Sequence, residues 1–258
     1  KIKSVNSYND TIIEPNIAGH IFYVTADSAE ISGFRIKNSS SKDGIHVYNA
    51  NNVKINYNFI DYVSTGIYLN GSNYAEINNN DVKYCYSNGI HLKNSGNNKV
   101  YSNDFLNNTN IGVIIDAASN NTIENNNIKN NGSILSEGMN LSNGATGNTI
   151  RGNIFKDNTI YSIVSFLESG TNYVYNNDFL STSASNLYHA YSNYGKGITW
   201  NSSDKLNYTR NNKSFYGFRG NYWEHFATSD ANTDYVGDAP FVFMGGQDNY
   251  PLINSITD

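Results

Sequence analysis

The stretch Asn121-Thr122-Ile123-Glu124-Asn125-Asn126-Asn127-Ile128 carries an apolar residue, a polar pair, then Asn followed two places later by a second apolar residue. Aligned on that Asn and its partner, the chain repeats it as Asn58/Ile60, Asn80/Val82, Asn103/Phe105, Asn126/Ile128, Asn153/Phe155 and Asn177/Phe179, at separations of 22, 23, 23, 27 and 24 residues. A second phrase, Gly followed by alternating apolar and outward residues, keeps the same period: Gly44-Ile45-His46-Val47, Gly66-Ile67-Tyr68-Leu69, Gly89-Ile90-His91-Leu92, Gly112-Val113-Ile114-Ile115 and Gly138-Met139-Asn140-Leu141. Two phrases locked to one period define a repeat.

A period of 22 to 24 residues matches one coil of a parallel β-helix, in which short strands joined by tight bends stack on the previous turn. Apolar and polar residues alternate within each coil, as strands with one buried face require. Asn at a fixed place per turn has a physical reason. It is expected to take the left-handed backbone of a bend and to bond its amide to the identical amide one coil above and below. A leucine-rich repeat would need a Leu-x-x-Leu-x-Leu frame, which is missing. The fold expected is therefore all-β, a parallel β-helical solenoid with an asparagine ladder.

Composition agrees. Only 15% of the 258 residues are charged and 38% are apolar, while Asn supplies about a sixth of the chain. One continuous domain is expected: regular coils over residues 1–180, then last irregular coils and a cap with an Asp-rich loop over 181–258. Within the first part, Thr11-Ile12-Ile13 and His20-Ile21-Phe22-Tyr23-Val24 read as strands of irregular opening coils, and Phe34 stands where later coils carry the Asn. The longer coil between Asn126 and Asn153 places a bulge at Asn130-Asn131-Gly132-Ser133.

A net charge of −5 with no basic cluster argues against a nucleic-acid partner. No apolar run reaches the roughly 18 residues that a membrane-spanning segment needs. The single cysteine, Cys85 between Tyr84 and Tyr86, is expected to be a packed thiol. The chain opens on Lys1-Ile2-Lys3 with neither initiator Met nor signal peptide, so it is expected to be a processed or excised piece.

Past Leu180 the aromatics crowd in. The segment runs Trp200-Asn201-Ser202, Gly220-Asn221-Tyr222-Trp223, an Asp-rich loop from Asp230 to Asp238, Gly237-Asp238-Ala239-Pro240-Phe241 and Asp248-Asn249-Tyr250-Pro251-Leu252. This resembles the closing segment of NosD-like parallel β-helix proteins, abundant among secreted and surface proteins of methanogenic archaea, and the preceding coils resemble that family's repeat. The resemblance implies a right-handed helix and an extracellular or cell-surface location; it says little about activity. A β-helix leaves an open rung at each end, so Trp200, Tyr222, Trp223, Phe241 and Tyr250 are expected to plug the last coil. The N-terminal rung is expected to be covered by an upstream segment or a neighbouring molecule.

Two sites are candidates. Asp230, Asn232, Asp234, the carbonyl of Val236 and Asp238 fall at loop positions 1, 3, 5, 7 and 9, the spacing by which calcium loops turn oxygens inward. The match is partial, because Tyr235 replaces the usual Gly and Phe241 the bidentate Glu; a structural Ca2+ and a metal-free hydrogen-bonded turn both stay open. Residues one period apart also stack in columns ~4.8 Å apart. One outward column is His46, Tyr68, His91, Ile114, Asn140 and its neighbour is Tyr48, Asn70, Lys93, Asp116, Ser142. Polysaccharide lyases and uronate epimerases on this fold use such a set. Tyr68 between His46 and His91 would exchange the C5 proton, with Lys93 neutralising the uronate carboxylate. The plainer reading is an ordinary strand face in a chain with twenty-one tyrosines.

Three weaker signals remain. Asp81 and Asp104, with Asp178 further along, suggest a glycosidase pair, though turn-capping is the commoner use of Asp after a bend. The family's name invites metal delivery, which two Met, one Cys and five scattered His support poorly. Sequons such as Asn9, Asn38, Asn70, Asn107, Asn140, Asn201 and Asn207 are permissive of glycosylation. Short, uniform bends favour a non-catalytic surface rod of about seven coils, ~35 Å long, that binds glycans through exposed tyrosines and associates with its own copies or envelope proteins. A lyase or epimerase is the alternative.

Overall fold

In the computed structural model all residues are described except 6, 16–18, 134–135, 167–168, 182–189, 193–196 and 257–258. Each coil gives one short strand to each of three parallel sheets. Sheet A has nine strands, from Ile2–Lys3 through Thr122–Glu124 to Ile198–Thr199; sheet B has nine, from Ile12–Ile13 to Tyr222–Trp223; sheet C has eight, from Phe22–Val24 to Ala190–Ser192. Every neighbour within a sheet is the strand one coil away, so the chain is a parallel β-helical solenoid with no helical segment among its described residues.

The register is the one that the repeat dictates. In sheet B, Ile36, Ile60, Val82, Phe105, Ile128, Phe155 and Phe179 stand over one another, and all are fully buried. Each side chain covers the one below it, so the apolar core is a set of one-dimensional stacks.

Buried polar groups follow the same logic. Asn58, Asn80, Asn103, Asn126, Asn153, Asn177 and Asn221 form a ladder in which each side-chain amide donates to the Oδ1 of the next coil at 2.9–3.1 Å. Phe34 closes its N-terminal end by donating its backbone N–H to Asn58 Oδ1. Two further ladders occupy the other corners, Asn98–Asn121–Asn148–Asn172 and Asn108–Asn131–Asn158. Cys85 heads the last of these, its backbone N–H bonded to Asn108 Oδ1 and its thiol pushed well above the usual range by complete burial.

Two expectations need correction. The left-handed residue is not the ladder Asn but the one before it: Tyr57, Asn79, Ser102, Asn125, Gly152 and Asn176 have φ between 52° and 67°. That residue turns the corner, which frees the following Asn to point inward in an ordinary conformation. Asn131 does not bulge either, because it is a ladder member with no exposure; the extra length of that coil enters after it. The repeated glycines have a packing reason. A Cβ on Gly89 would sit 2.6 Å from the carbonyl oxygen of Gly112 in the next coil.

The coils continue beyond residue 180. Tyr222–Trp223 extends sheet B, and Asn221 extends the ladder 44 residues after Asn177 because an antiparallel hairpin, Leu206–Arg210 with Lys213–Gly217, is inserted in that turn. Trp200 and Trp223, almost fully buried, cover the last stack with Phe241, Phe243 and Phe226; the Trp223 ring lies parallel to Phe179 at 4.2 Å. Tyr222 and Tyr250 are not part of this plug. Tyr222 is only partly buried on the outward side of its strand, and Tyr250 packs against Phe218 at 5.2 Å.

Candidate functional site

On the outer face of sheet C the register sets Tyr23, His46, Tyr68, His91, Ile114 and Asn140 in one column, coil upon coil. Four of these form a run of rings. Ring centroids are 5.3 Å apart for Tyr23 and His46, 4.7 Å for His46 and Tyr68, and 4.9 Å for Tyr68 and His91. The neighbouring column holds Tyr48, Asn70, Lys93, Asp116 and Ser142, so Lys93 stands directly between Asn70 and Asp116. His46, Tyr68, His91 and Lys93 are therefore brought to one patch, all partly exposed, with Tyr23 and Tyr48 more open beside them.

Two carboxylates frame the patch. Asp43 Oδ2 lies 2.9 Å from His46 Nδ1, and Asp116 Oδ2 lies 3.5 Å from His91 Nε2. Burial lowers the proton affinity of His91 despite the opposing attraction of Asp116, which favours a neutral imidazole. Desolvation, helped by Asp43 and Asp116, raises the Tyr68 phenol above its ordinary range, so it keeps its proton at neutral pH. A neutral imidazole and a protonated phenol thus stand as a pair one coil apart. The face that carries it is nevertheless a strand surface. Two concavities lie elsewhere: one of about 440 Å³ lined by Glu124, Arg151, Tyr208 and Arg219, and one of about 510 Å³ beside Trp200 and Gln247.

The Asp-rich loop is organised by its own backbone. Asp230 accepts the N–H groups of Asp234 and Tyr235 at 3.0 Å each, Asn232 and Asp234 accept those of Asp234 and Val236, and Asp238 accepts that of Ala231. Val236 is bridged to Leu252, which ties the loop to the closing segment. Of the acidic residues after the bend, Asp81 and Asp104 are register neighbours, but Asp81 accepts from Lys83 and Asp104 from Asn127. Asp178 is fully buried in a later coil, where it holds the Ser255 hydroxyl and the Ile256 N–H.

Sequence reasoning missed a grouping that the structure makes evident. His20 and Asp43 stand 23 residues apart, one coil period, and meet with His46 at the start of the ring column. The period itself is the available signal, but neither His20 nor Asp43 lies in the two repeated phrases that reveal it.

A solenoid of three parallel sheets with inward asparagine ladders defines the class of protein. The right-handed β-helix region family matches residues 19–179, and the chain belongs to that family. Comparison with curated protein sequences gives no significant match. Among solved structures it is similar to the Dettilon tailspike protein (18% identity, TM-score 0.59, covering 74% of this chain and 42% of that one). It is also similar to the periplasmic alginate epimerase AlgG (15%, 0.51, 66% and 46%) and to pectate lyase Pel9A (17%, 0.50, 69% and 53%). The chain spans about half the length of each, and at these identities the likeness is one of fold. Among the described residues no helix is long and apolar enough to cross a membrane.

Proposed function

We propose that this chain is a rigid β-helical rod of the cell surface or extracellular space that holds glycans on the outer face of sheet C. The observation that carries the reading is the run of Tyr23, His46, Tyr68 and His91 rings along an open strand face, flanked by Tyr48 and Lys93. Aromatic rings present apolar faces to sugar rings at low entropic cost, and their ~4.8 Å repeat offers successive contacts to an extended chain. Exposed Ile2, Val5 and Ile12 in the first coil support contact with a neighbouring copy or another envelope protein there. A calcium ion in the Asp230–Asp238 loop would add rigidity to the closing segment.

Affinity electrophoresis in acidic and neutral polysaccharides tests this. Retardation of the wild type that falls at least about fivefold in Tyr68→Ala and Tyr48→Ala supports the reading. Equal mobility of all three proteins in every gel defeats it. Light scattering with and without a calcium chelator tests assembly and the ion together; a monomer indifferent to chelation removes both.

The Tyr68 phenol between two imidazoles favours one second reading, proton exchange at C5 of a uronate with β-elimination or epimerisation. Release of an unsaturated product from a polyuronate by the wild type, abolished in Tyr68→Phe, would replace a holding role with a catalytic one.

A further inference from the structure

His20 and Asp43 come from bends one coil apart and His46 from the strand that follows Asp43, and their ligand atoms lie within 4.8 Å of one another. Asp43 Oδ2 is 2.9 Å from His46 Nδ1 and 3.2 Å from His20 Nδ1. Zinc bonds to imidazole nitrogen and carboxylate oxygen at about 2.0–2.2 Å, which sets adjacent ligand atoms about 3.0 Å apart in octahedral and about 3.4 Å apart in tetrahedral geometry. Both observed separations suit a shared cation.

Protonation of His20 alone does not satisfy its contacts. Its Nδ1 accepts the Asp43 backbone N–H at 3.3 Å and also faces the Asp43 carboxylate at 3.2 Å. A neutral Nδ1 turns its lone pair toward a carboxylate oxygen, whereas a protonated Nδ1 opposes the N–H. A cation held by both atoms takes over that lone pair and balances the carboxylate, in exchange for the long 3.3 Å contact with the N–H.

The ligands are held in place before any ion arrives. Ile21 N–H bonds to Asp43 O, Phe22 N–H to Gly44 O and Gly44 N–H to Thr65 O, so the bends carrying His20 and Asp43 are tied coil to coil. The His20 ring is stacked on Tyr23 at 5.7 Å and set edge-on to His46 at 4.4 Å. Side-chain exposures of 26%, 13% and 12% for His20, Asp43 and His46 leave an approach open to solvent on the His20 side.

We propose that His20, Asp43 and His46 bind one divalent transition-metal ion of the zinc and cobalt class through two imidazole nitrogens and one carboxylate, with the remaining positions open to water or to an oxygen of a bound ligand. Two nitrogens and one oxygen select this class over calcium or magnesium, which prefer all-oxygen shells. The proposal is independent of glycan binding, because His20 and Asp43 lie beside the ring column and His46 alone is shared.

Titration of the full chain, first stripped with chelator, with Zn2+ by calorimetry and with Co2+ by visible absorption tests it. Binding of one equivalent at micromolar or tighter affinity is expected, with cobalt bands typical of low coordination number. His20→Ala and Asp43→Asn are each expected to weaken binding at least about tenfold, the scale set by losing even a group that supports a ligand. His225→Asn, a distant control at a left-handed position that Asn accepts, is expected to bind as the wild type does. Circular dichroism of each variant keeps misfolding apart from ligand loss, and His20→Ala, in an opening bend, is the safer of the two. Affinity no better than millimolar, or the same affinity in His20→Ala and His225→Asn, overturns the proposal. Glycan retention in the metal-free protein is scored separately, so either idea can fail alone.

Discussion

In the middle coils Asn126 is bonded to Asn103 on one side and Asn153 on the other, each an identical residue one period away. In the cap Asn221 has no further coil, and its partner is Asp248, which accepts from the Asn221 backbone N–H, the Asn221 side chain and the Trp223 indole N–H. Repetition thus satisfies a buried amide wherever the next coil supplies the same group. At the end of the solenoid a single carboxylate must replace a whole coil. The apolar core shows the same contrast, with Ile, Val and Phe stacked on their own kind in the coils and an irregular cluster around Trp200 and Trp223 in the cap.

The largest expected effect comes from breaking the repeated part. Asn126→Ala removes the acceptor of Asn103 N–H and Nδ2–H and the donor to Val100 O, Glu124 O and Asn153 Oδ1, all in a dry interior. At about 1–3 kcal/mol for each group left unpaired, a loss of about 5 kcal/mol is expected in denaturant unfolding. A loss under about 1 kcal/mol would mean that water replaces the ladder freely. Trp223→Ala breaks the unique part instead. Removing a fully buried indole costs about 4 kcal/mol, within the range of such truncations, and because neighbour contacts dominate a solenoid the damage should stay near the cap. Hydrogen exchange checks that: faster exchange around residues 172–180 and 220–252 with coils near Ile67 and Ile90 unchanged supports local coupling. Uniform acceleration refutes it.

The same contrast explains what was legible in the sequence. Every coil with a neighbour at the common period could be read, down to the column that sets Tyr68 between His46 and His91. Asn221 hid because the hairpin of residues 206–217 stretches its spacing to 44, although Asn221 and Trp223 repeat the pattern of Asn177 and Phe179. The sequence places the left-handed corner one residue late, since Asn both turns and ladders by type and only the folded backbone separates Asn125, which turns, from Asn126, which ladders. Asp248 stands in the closing Asp248-Asn249-Tyr250-Pro251-Leu252 motif, with no neighbour in sequence that reveals its burial. Nothing local distinguishes a carboxylate that faces solvent from one that replaces a coil.

Asp248 also makes the stability of the cap sensitive to pH. Its side chain is buried, and desolvation outweighs the bonds from Trp223, Asn221 and Tyr250, so its pKa rises from 3.8 to about 6. The folded cap then holds a proton that the unfolded chain has already released between those values, so stability falls as pH rises from about 4 to about 6 and levels off above. A shift of that size corresponds to at most about 3 kcal/mol. Asp248→Asn retains an oxygen for the Asn221 and Trp223 donors and cannot ionise, so its stability should be flat across the window where the wild type slopes. Melting both proteins from pH 4 to pH 7 separates the outcomes: parallel curves would show that the carboxylate is anionic in the folded cap throughout. In that event its N–H donors, and not its burial, would govern the end of the ladder.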